Sequence, residues 1–224
     1  MKLFHGSDHI IETPVYGAGK PYNDFGLGFY CTESLEMAQE WSATQEKAIG
    51  YANEYEFNDS GLSVLDLTSG SYTVLHWLSV LLENRSFSAN HPLDSQAKQY
   101  LTSTFAVNYQ DADVIVGNRA DDSYFSFARA FLAGSLSYQQ LRKAMDLGGL
   151  GKQVVLKSPR SFQRLTFIGA TESACGLWLP RRRNRDSKAR ADYQHLAQQG
   201  FDAGGLYIQD ILREEMTPHD ARLQ

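Results

Sequence analysis

Two groups of residues near the N-terminus combine glycines with side chains that could hold a ligand. The first is His5-Gly6-Ser7, which ends the apolar stretch "KLF". The second is "DFGLGFYCT" at 24–32, where two glycines two positions apart lead directly into an aromatic, strand-like run. A nucleotide-binding loop places its glycines between a strand and a helix N-terminus, whose N–H groups meet phosphate. The order here is inverted and no Gly-Lys-Ser/Thr is present, so the pattern is not a phosphate-binding loop of that kind.

Each group alone has an ordinary structural explanation. An isolated Gly-x-Gly most often forms a tight turn before a strand. A single histidine such as His5 most often lies on the surface or in a satisfied position of the core. The histidine group and the glycine group occur together, however, and a tyrosine, Tyr30, follows the glycines on the same strand-like run. The combination therefore favours a shared binding site over two unrelated structural features.

Further candidates lie in "NRADDSYFSF" at 118–127. Arg119, Asp121 and Asp122 follow the apolar run "DVIVG" and precede a helical pattern, so they lie at the end of a predicted strand. Sites often collect at such positions. The alternative is that Asp122 is a helix N-cap and Asp121 a charge in the first turn, where carboxylates stabilise a helix. Both interpretations stay open on the residues alone.

Gln153 opens the strand-like run "QVVLKS". Side chains of a strand alternate between its two faces, which predicts Val154 and Leu156 against a core and Gln153 on the side of a cleft. The basic run at 180–185 is either a solvated surface or a contact for an acidic partner or nucleic acid.

The composition is that of a globular protein. The 224 residues are 42% hydrophobic and 21% charged with a net charge of −5, which argues against a surface devoted to nucleic acid. Two cysteines, Cys31 and Cys175, form no metal-ligand pattern, so no metal is predicted. We see no signal peptide and no apolar run of membrane-spanning length, and we predict a cytoplasmic protein without a membrane partner.

The elements that must position these residues are mixed. Strands are predicted over 2–7, 28–32, 51–57, 62–68, 113–118, 152–158 and 164–170. Helices are predicted over 33–48 with Thr32 as N-cap, and over 72–83, 94–105, 122–132, 137–147, 187–198 and 206–215. Runs of strands with clustered helices predict an α+β fold. We expect one domain over 1–224, with a core at about 1–172 and a C-terminal helical extension at about 173–224.

The quoted groups resemble the motifs of a known superfamily. "LFHGSD", "DFGLGFYCT" and "QVVLKS" are similar, in order and spacing, to the three motifs of ADP-ribosyltransferases of the diphtheria-toxin and poly-ADP-ribose-polymerase branch. The chain is more closely similar to a bacterial family of that superfamily, domain of unknown function 3990, where "ADDSYF" and a segment like 207–214 also recur. The resemblance implies an ADP-ribosyltransferase-like split antiparallel β-sheet with flanking helices, which binds NAD as its substrate.

The resemblance also implies roles for individual residues. His5 is expected to bond a hydroxyl of the adenosine ribose, and the backbone of Gly6 the nicotinamide amide. Tyr30 is expected to stack on the nicotinamide ring, which is a planar cation before cleavage. Gly26 and Gly28 would let the chain turn and approach the dinucleotide. The other predicted NAD contacts are Ser7, Asp24, Phe25, Thr32 and Arg119.

The implied reaction breaks the bond between ribose and nicotinamide through an oxocarbenium-like transition state, which a nearby negative charge stabilises. In the related enzymes a glutamate opens the third-motif strand, whereas this chain has Gln153. A neutral amide can orient a hydroxyl but does not stabilise a cation as a carboxylate does. Either Gln153 suffices, or a carboxylate comes from elsewhere, with Asp121 and Asp122 as the expected suppliers, or the protein binds NAD without turnover.

These expectations together describe an NAD-dependent ADP-ribosyltransferase. Its acceptor stays open on the sequence and is a protein, a nucleic acid or a small molecule. Family analogy alone predicts a bacterial effector or the toxin of a toxin–antitoxin pair, with a cognate antitoxin as partner. Two alternatives stay open. One is an NAD glycohydrolase, with water as the acceptor. The other is a catalytically inactive module that binds NAD or a peptide, for which Gln153 is the best argument.

Overall fold

The computed structural model describes residues 1–87, 91–120, 122–145, 151–198 and 202–224. The strands are β1 (Lys2–Ser7), β2 (Phe29–Cys31), β3 (Ile49–Phe57), β4 (Val64–Asp66), β5 (Val114–Asn118), β6 (Lys152–Leu156) and β7 (Leu165–Ala174). The helices are α1 (Leu35–Ser42), α2 (Val74–Asn84), α3 (Pro92–Thr104), α4 (Asp122–Leu132), α5 (Tyr138–Met145), α6 (Pro159–Phe162), α7 (Cys175–Gln198) and α8 (Ile208–Arg213). A short 3-10 helix at Ala221–Leu223 follows them.

The strands form two sheets that meet near the N-terminus. In the first sheet β3 lies between β1 and β7, and both pairs are antiparallel. The second sheet has the order β2-β6-β5-β4 and is antiparallel except for the parallel pair β4 and β5. A bridge between Phe4 and Thr32 joins the sheets, since each backbone N–H donates to the other residue's carbonyl at 2.8 and 2.9 Å. This bridge sets β1 beside the end of β2.

The second sheet is buried on both faces. One face packs against the first sheet through a cluster formed by Leu3, Phe29, Cys31, Tyr55, Phe57, Val114, Val154 and Leu156. On the other face, Ile115 and Val155 pack into a larger cluster with apolar side chains of α2, α3, α4, α5 and α8. Because β6 lies at the centre of this arrangement, its residues are fixed in place from both sides.

The predicted α+β class is confirmed by these sheets and helices. The helix predicted over 33–48 is shorter than expected, and Thr32 is not its N-cap. Ser34 caps α1 by accepting the N–H of Met37 at 3.3 Å, while the backbone of Thr32 is held in the bridge to Phe4. Beyond Ser42 the sequence "ATQEKA" offers no large apolar side chain to hold a further helical turn on the sheet.

The C-terminal helical region differs from its prediction too. Helix α7 begins at Cys175, well before the predicted segment 187–198, and contains Pro180. The proline and the basic residues after it lack the apolar periodicity on which the prediction relied. The basic run at 180–185 therefore lies on a helix. Within the described ranges, no helix combines the length and apolar character needed to cross a membrane.

Candidate functional site

A cavity of about 320 Å³ opens where β1, β2 and β6 come together. Residues predicted for the site line much of its wall: His5, Gly6, Asp24, Tyr30, Arg119 and Gln153. The other lining residues are Asn23, Trp41, Arg85, Ala120 and Arg182. We call this space the polar cavity because its wall carries four charged side chains. Residues from four separate sequence groups therefore meet in one place.

The strand registers explain how Tyr30 and Gln153 reach the same wall. Tyr30 pairs with Val155, and Gln153 pairs with Gly117 of β5. Paired residues point to the same face of a sheet, and residues two apart on one strand do so as well. The prediction that Gln153 lies on a cleft side needs one correction, because Val155 on that face is fully buried under helices. The cavity reaches this face of the sheet only near Gln153.

Asp24 and Gln153 form the buried centre of the polar cavity. Asp24 Oδ2 accepts from Gln153 Nε2 at 2.8 Å and from the backbone N–H of Ala120 at 2.9 Å. Asp24 Oδ1 accepts from Arg85 Nη1 at 3.2 Å. Both Asp24 and Gln153 are more than nine-tenths buried. The carboxylate nearest to Gln153 is thus Asp24, among the residues whose side chains the structure describes.

Two opposing influences act on the charge of Asp24. Burial raises the pKa of this carboxyl because desolvation disfavours the ionised form. The bonds from Ala120 and Gln153 and the charges of Arg85 and Arg119 oppose that rise. All three hydrogen-bond donors are N–H groups, which stabilise the carboxylate over the acid. Asp24 is therefore a buried acid whose negative charge depends on its neighbours.

The ring of His5 is held in one orientation. Its Nδ1 donates to the carbonyl of Tyr30 at 2.7 Å, and the ring stacks on Phe29 with the ring centroids 4.3 Å apart. Burial lowers the pKa of His5, so the neutral ring is favoured. With the proton on Nδ1, the other nitrogen, Nε2, is a hydrogen-bond acceptor. The imidazole can therefore accept a hydrogen bond from a ligand hydroxyl.

Tyr30 ties the glycine-rich turn to the strand that follows it. Its hydroxyl donates to the carbonyl of Gly26 at 2.6 Å and accepts from the N–H of Phe25 at 3.0 Å. Burial raises the pKa of Tyr30, which keeps the phenol neutral. The hydroxyl is engaged within the protein, so the ring is the part of Tyr30 that the cavity can offer to a ligand.

Packing explains the glycines better than a close approach to a ligand does. A Cβ on Gly6 would lie 2.1 Å from the carbonyl oxygen of Ala38, because α1 crosses β1 at this point. Gly26 has a φ of +73°, which favours a residue without a side chain. A Cβ on Gly28 would lie 2.6 Å from Val155 Cγ1. Gly26 lines neither this cavity nor the next one described.

A second and larger space, of about 690 Å³, adjoins the first. We call it the apolar cavity, and it lies along the segment 9–20, Phe29 and Phe162. His5, Asn23 and Tyr30 line both cavities, and Ser7 and Gly28 line this one. The two spaces therefore share a wall formed largely by the His5 and Tyr30 rings.

Asn53 of β3 anchors the segment that forms the apolar cavity. Its Nδ2 donates to the His5 carbonyl, Ser7 Oγ and the His9 carbonyl at 3.2, 3.0 and 3.3 Å. Its Oδ1 accepts from the N–H of Ile11 at 2.9 Å. The side chain is fully buried. Nothing in the local sequence of Asn53 marks this role, because its partners lie more than 40 residues away.

Several predicted site residues lie elsewhere. Phe25 is fully buried in the core, and a Cβ on Gly117 would lie 2.5 Å from its ring. Thr32 lines a different surface cavity, together with Glu33 and Lys152. Asp121 lies outside the described residues. Asp122 begins α4, as the helix prediction at 122–132 expected, but its side chain also lies outside what the structure describes.

Five cavity residues were not predicted for the site, among them Trp41, Arg85 and Arg182. Trp41 of α1 falls at helical spacing with Met37 and Ala38, so its pattern is that of an ordinary core residue. Arg85 directly follows α2 and belongs to no motif. Arg182 lies in the basic run at 180–185, and the positive charge of that run was the one sequence feature that could have indicated a contact with a ligand.

The α+β fold carries the polar cavity at the junction of its two sheets. A family model described as "Protein of unknown function (DUF3990)" matches residues 1–167. The chain belongs to this family. The matched region contains every strand of the second sheet. β7 extends beyond it, and α7 and α8 lie outside it. No curated protein and no solved structure matches the chain.

Proposed function

We propose that the protein is an NAD-dependent ADP-ribosyltransferase with the fold of that superfamily. One observation carries the proposal. His5, Tyr30 and Gln153 come from three sequence groups that resemble the motifs of those enzymes, and they line one cavity. Three arginines and one aspartate line the same wall, which suits a ligand with negatively charged phosphates.

The two adjoining cavities suit the two halves of NAD. The polar cavity would take the nicotinamide and its ribose, with the nicotinamide ring against Tyr30. The adenosine half would extend past His5 toward the apolar cavity, where His5 Nε2 accepts a hydrogen bond from a ribose hydroxyl. Each cavity has a volume within the range typical of small-molecule sites, about 300–1,000 Å³. In this proposal NAD spans both cavities and passes along the His5 and Tyr30 rings that line them.

In the proposed reaction the bond between the ribose C1′ and the nicotinamide nitrogen breaks. The electron pair of that bond leaves with nicotinamide, which becomes neutral. The positive charge that develops on the ribose is stabilised by Asp24, which replaces the glutamate of the related enzymes, while Gln153 holds Asp24 in position. The acceptor then donates an electron pair to C1′ and releases a proton to water. Asp24 thereby supplies the carboxylate that the third motif lacks.

The test is to incubate the purified protein with NAD labelled in its adenylate half and with cell lysate. Nicotinamide release together with label on a macromolecule supports the transferase, and nuclease or protease treatment then identifies the acceptor. Nicotinamide release with label only on free ADP-ribose indicates the glycohydrolase instead. In the same assay the Asp24→Asn variant should release less nicotinamide than the wild-type protein. Asp59→Asn is its matched control, because Asp59 is exposed and lines neither cavity. No nicotinamide release by the wild-type protein would contradict both enzymes.

One observation favours the inactive module as a second candidate. Asp24 and Gln153 already hydrogen-bond each other in a buried setting, so neither needs a ligand to satisfy it. In that case NAD or a peptide would bind without being changed. Calorimetry separates the candidates, because a module gives a heat of NAD binding in a sample that releases no nicotinamide.

The proposed role as a bacterial toxin or effector acting in the cytoplasm rests on family analogy. If the enzyme depletes NAD or modifies an essential target, its expression should arrest bacterial growth. Asp24→Asn should relieve that arrest and Asp59→Asn should not. Equal growth of cells that express the wild-type protein and the Asp24→Asn variant would contradict the role.

A further inference from the structure

The basic run at 180–185 lies on helix α7, where some of its arginines contact the rest of the protein and others are exposed. Arg185 Nη2 lies 2.7 Å from Glu40 Oε1 of α1, and this ion pair is largely buried. One turn earlier, Arg182 lines the polar cavity. These two residues are three apart and so share one face of the helix. The ion pair therefore holds the face that carries Arg182 against the cavity.

The residues on either side of Arg182 are also arginines, and they lie on the protein surface. Successive residues of an α-helix are rotated by about 100°, so Arg181 and Arg183 project to either side of Arg182. Both are exposed. The guanidinium of Arg181 lies over the Trp178 ring, 4.6 Å from its centroid. Three consecutive arginines therefore spread from the cavity wall onto the protein surface.

Inside the polar cavity the same combination of guanidinium and aromatic ring occurs again. Arg119 lies over the Trp41 ring at 4.6 Å, and Trp41 lines the cavity with Arg119 and Arg182. Surfaces that hold single-stranded nucleic acid combine positive charge along the backbone path with aromatic and guanidinium planes. The net charge of the chain is −5, so this positive region runs against the overall charge balance.

We propose that Arg181 and Arg183 bind the phosphates of single-stranded nucleic acid and bring one nucleotide to the opening of the polar cavity as the ADP-ribose acceptor. This inference rests on the proposed function. Side-by-side guanidinium groups, each able to bind phosphate in a bidentate manner, suit a strand with one phosphate per nucleotide. A single strand fits because an atom of a base stacked in a duplex cannot reach the ribose C1′ that NAD places in the polar cavity.

In this transfer a base nitrogen or a sugar or phosphate oxygen of the strand forms the new bond to C1′. Nicotinamide leaves with the electron pair of the broken bond, and the acceptor atom loses its proton to water when it carries one. Arg181 and Arg183 lie outside the residues matched by the family model. The proposed acceptor contacts therefore lie on α7, beyond the region that the family model matches.

Binding is tested by fluorescence anisotropy with a labelled single-stranded oligonucleotide and the full chain. The double variant Arg181→Gln, Arg183→Gln is compared with Lys143→Gln, Arg164→Gln, which removes the same charge from exposed positions elsewhere. Losing two phosphate contacts should weaken binding by about 10- to 30-fold at 0.1 M salt and lower the salt slope by about 1.4. The control pair should change affinity by less than about twofold.

Three outcomes would overturn the proposal. One is wild-type protein that does not bind the oligonucleotide, and another is an equal loss in the two double variants. The third is equal or tighter binding of a poly-glutamate peptide, which would identify an acidic protein as the partner. Thermal unfolding of both double variants shows whether they fold alike.

Transfer is tested with adenylate-labelled NAD and the same oligonucleotide. We expect label on the oligonucleotide, and nuclease treatment should remove it. The amount of label should fall at least about tenfold in the Arg181→Gln, Arg183→Gln variant but not in the control pair. Nicotinamide release without label on the oligonucleotide contradicts the acceptor and leaves the proposed function standing. Absence of nicotinamide release contradicts the proposed function, while the anisotropy titration still decides whether the surface binds nucleic acid.

Discussion

The polar and the apolar cavity share the His5 and Tyr30 rings but are built in different ways. The polar cavity takes its wall from β1, β2, β6, α1 and α7, so distant parts of the chain must fold before it exists. The apolar cavity takes most of its wall from one continuous segment at 9–20. That segment is held by Asn53 and by the hydroxyl of Tyr55, which donates to the Ile11 carbonyl.

This difference assigns the reaction to the polar cavity and part of the ligand binding to the apolar cavity. In the polar cavity Asp24, Gln153 and Arg85 hold one another through hydrogen bonds, so charged groups are fixed before any ligand binds. Electrostatic stabilisation of a transition state needs that kind of preorganisation. The segment around the apolar cavity exposes Ile10 and Val15, so it offers a ligand apolar contact and no fixed charge of that kind. Mutations in the two cavities should therefore affect different quantities.

The largest effect on chemistry is expected from Asp24→Asn. The asparagine oxygen can still accept from Ala120 and Gln153, while its NH2 group faces Arg85 and cannot accept that hydrogen bond. The variant therefore keeps the size of the side chain and loses its negative charge. Nicotinamide release should fall by at least about 100-fold, as when a comparable electrostatic group is removed from an enzyme. Chromatographic measurement of nicotinamide checks this. A folded variant with wild-type turnover would remove Asp24 from the reaction.

Asn53→Ala probes the other cavity. It removes four hydrogen bonds and leaves partly buried groups such as the Ile11 N–H without this partner. The free energy of unfolding should fall by about 2–3 kcal/mol, measured by urea denaturation. NAD affinity should fall, while affinity for nicotinamide alone should hold. Asn58→Ala, at an exposed position, is the control. Equal losses of NAD and nicotinamide binding would show that the cavities do not act separately.

Two substitutions at Tyr30 separate the shared ring from its hydroxyl. Tyr30→Ala should weaken NAD binding by about 1–2 kcal/mol, because the ring that faces the cationic nicotinamide is lost. Tyr30→Phe keeps the ring but loses the bonds to Gly26 and Phe25, so it should lower the free energy of unfolding by about 1 kcal/mol. Calorimetry and urea denaturation measure the two effects. The same NAD affinity in Tyr30→Ala as in the wild type would contradict stacking.

The smallest effect is a pH dependence from His5. Burial lowers the pKa of His5 in the folded state below its usual value of 6.5, so the unfolded chain binds the proton more readily. Its contribution to stability is complete above pH 6.5 and is lost as the pH falls through that value toward the folded pKa. His5→Gln should lack this component. Urea denaturation at several pH values checks it, and parallel pH profiles of the two proteins would contradict it.

The fold was predictable where one apolar period dominates a segment. The spacing of Val74, Trp77 and Leu78 predicted α2, and the start and end of α4 at 122–132 agree with the structure. Helix α7 was missed before residue 187 because charge, and not apolar spacing, dominates its first half. The start of α1 was misplaced because Thr32 and Ser34 are both residue types that cap helices, and only pairing between the sheets distinguishes them.

The candidate site was predictable where a motif carries it. His5, Tyr30 and Gln153 were proposed from sequence and line one cavity. The pairing of Asp24 with Gln153, 129 positions apart, depends on how β6 meets the loop before β2, and no local pattern encodes that contact. No local pattern encodes the role of Asn53 either, because its hydrogen-bond partners lie on a distant segment. The position of Arg182 at the cavity likewise depends on how α7 packs against distant elements.

Competition between NAD and nicotinamide in calorimetry tests the central claim most directly. If NAD places its nicotinamide in the polar cavity, saturating nicotinamide should lower the apparent affinity of the wild-type protein for NAD. Saturating adenosine should do so too, by occupying the apolar side of the His5 and Tyr30 wall. Undiminished NAD affinity in the presence of both compounds, or no NAD binding at all, would contradict the assignment of these cavities to NAD.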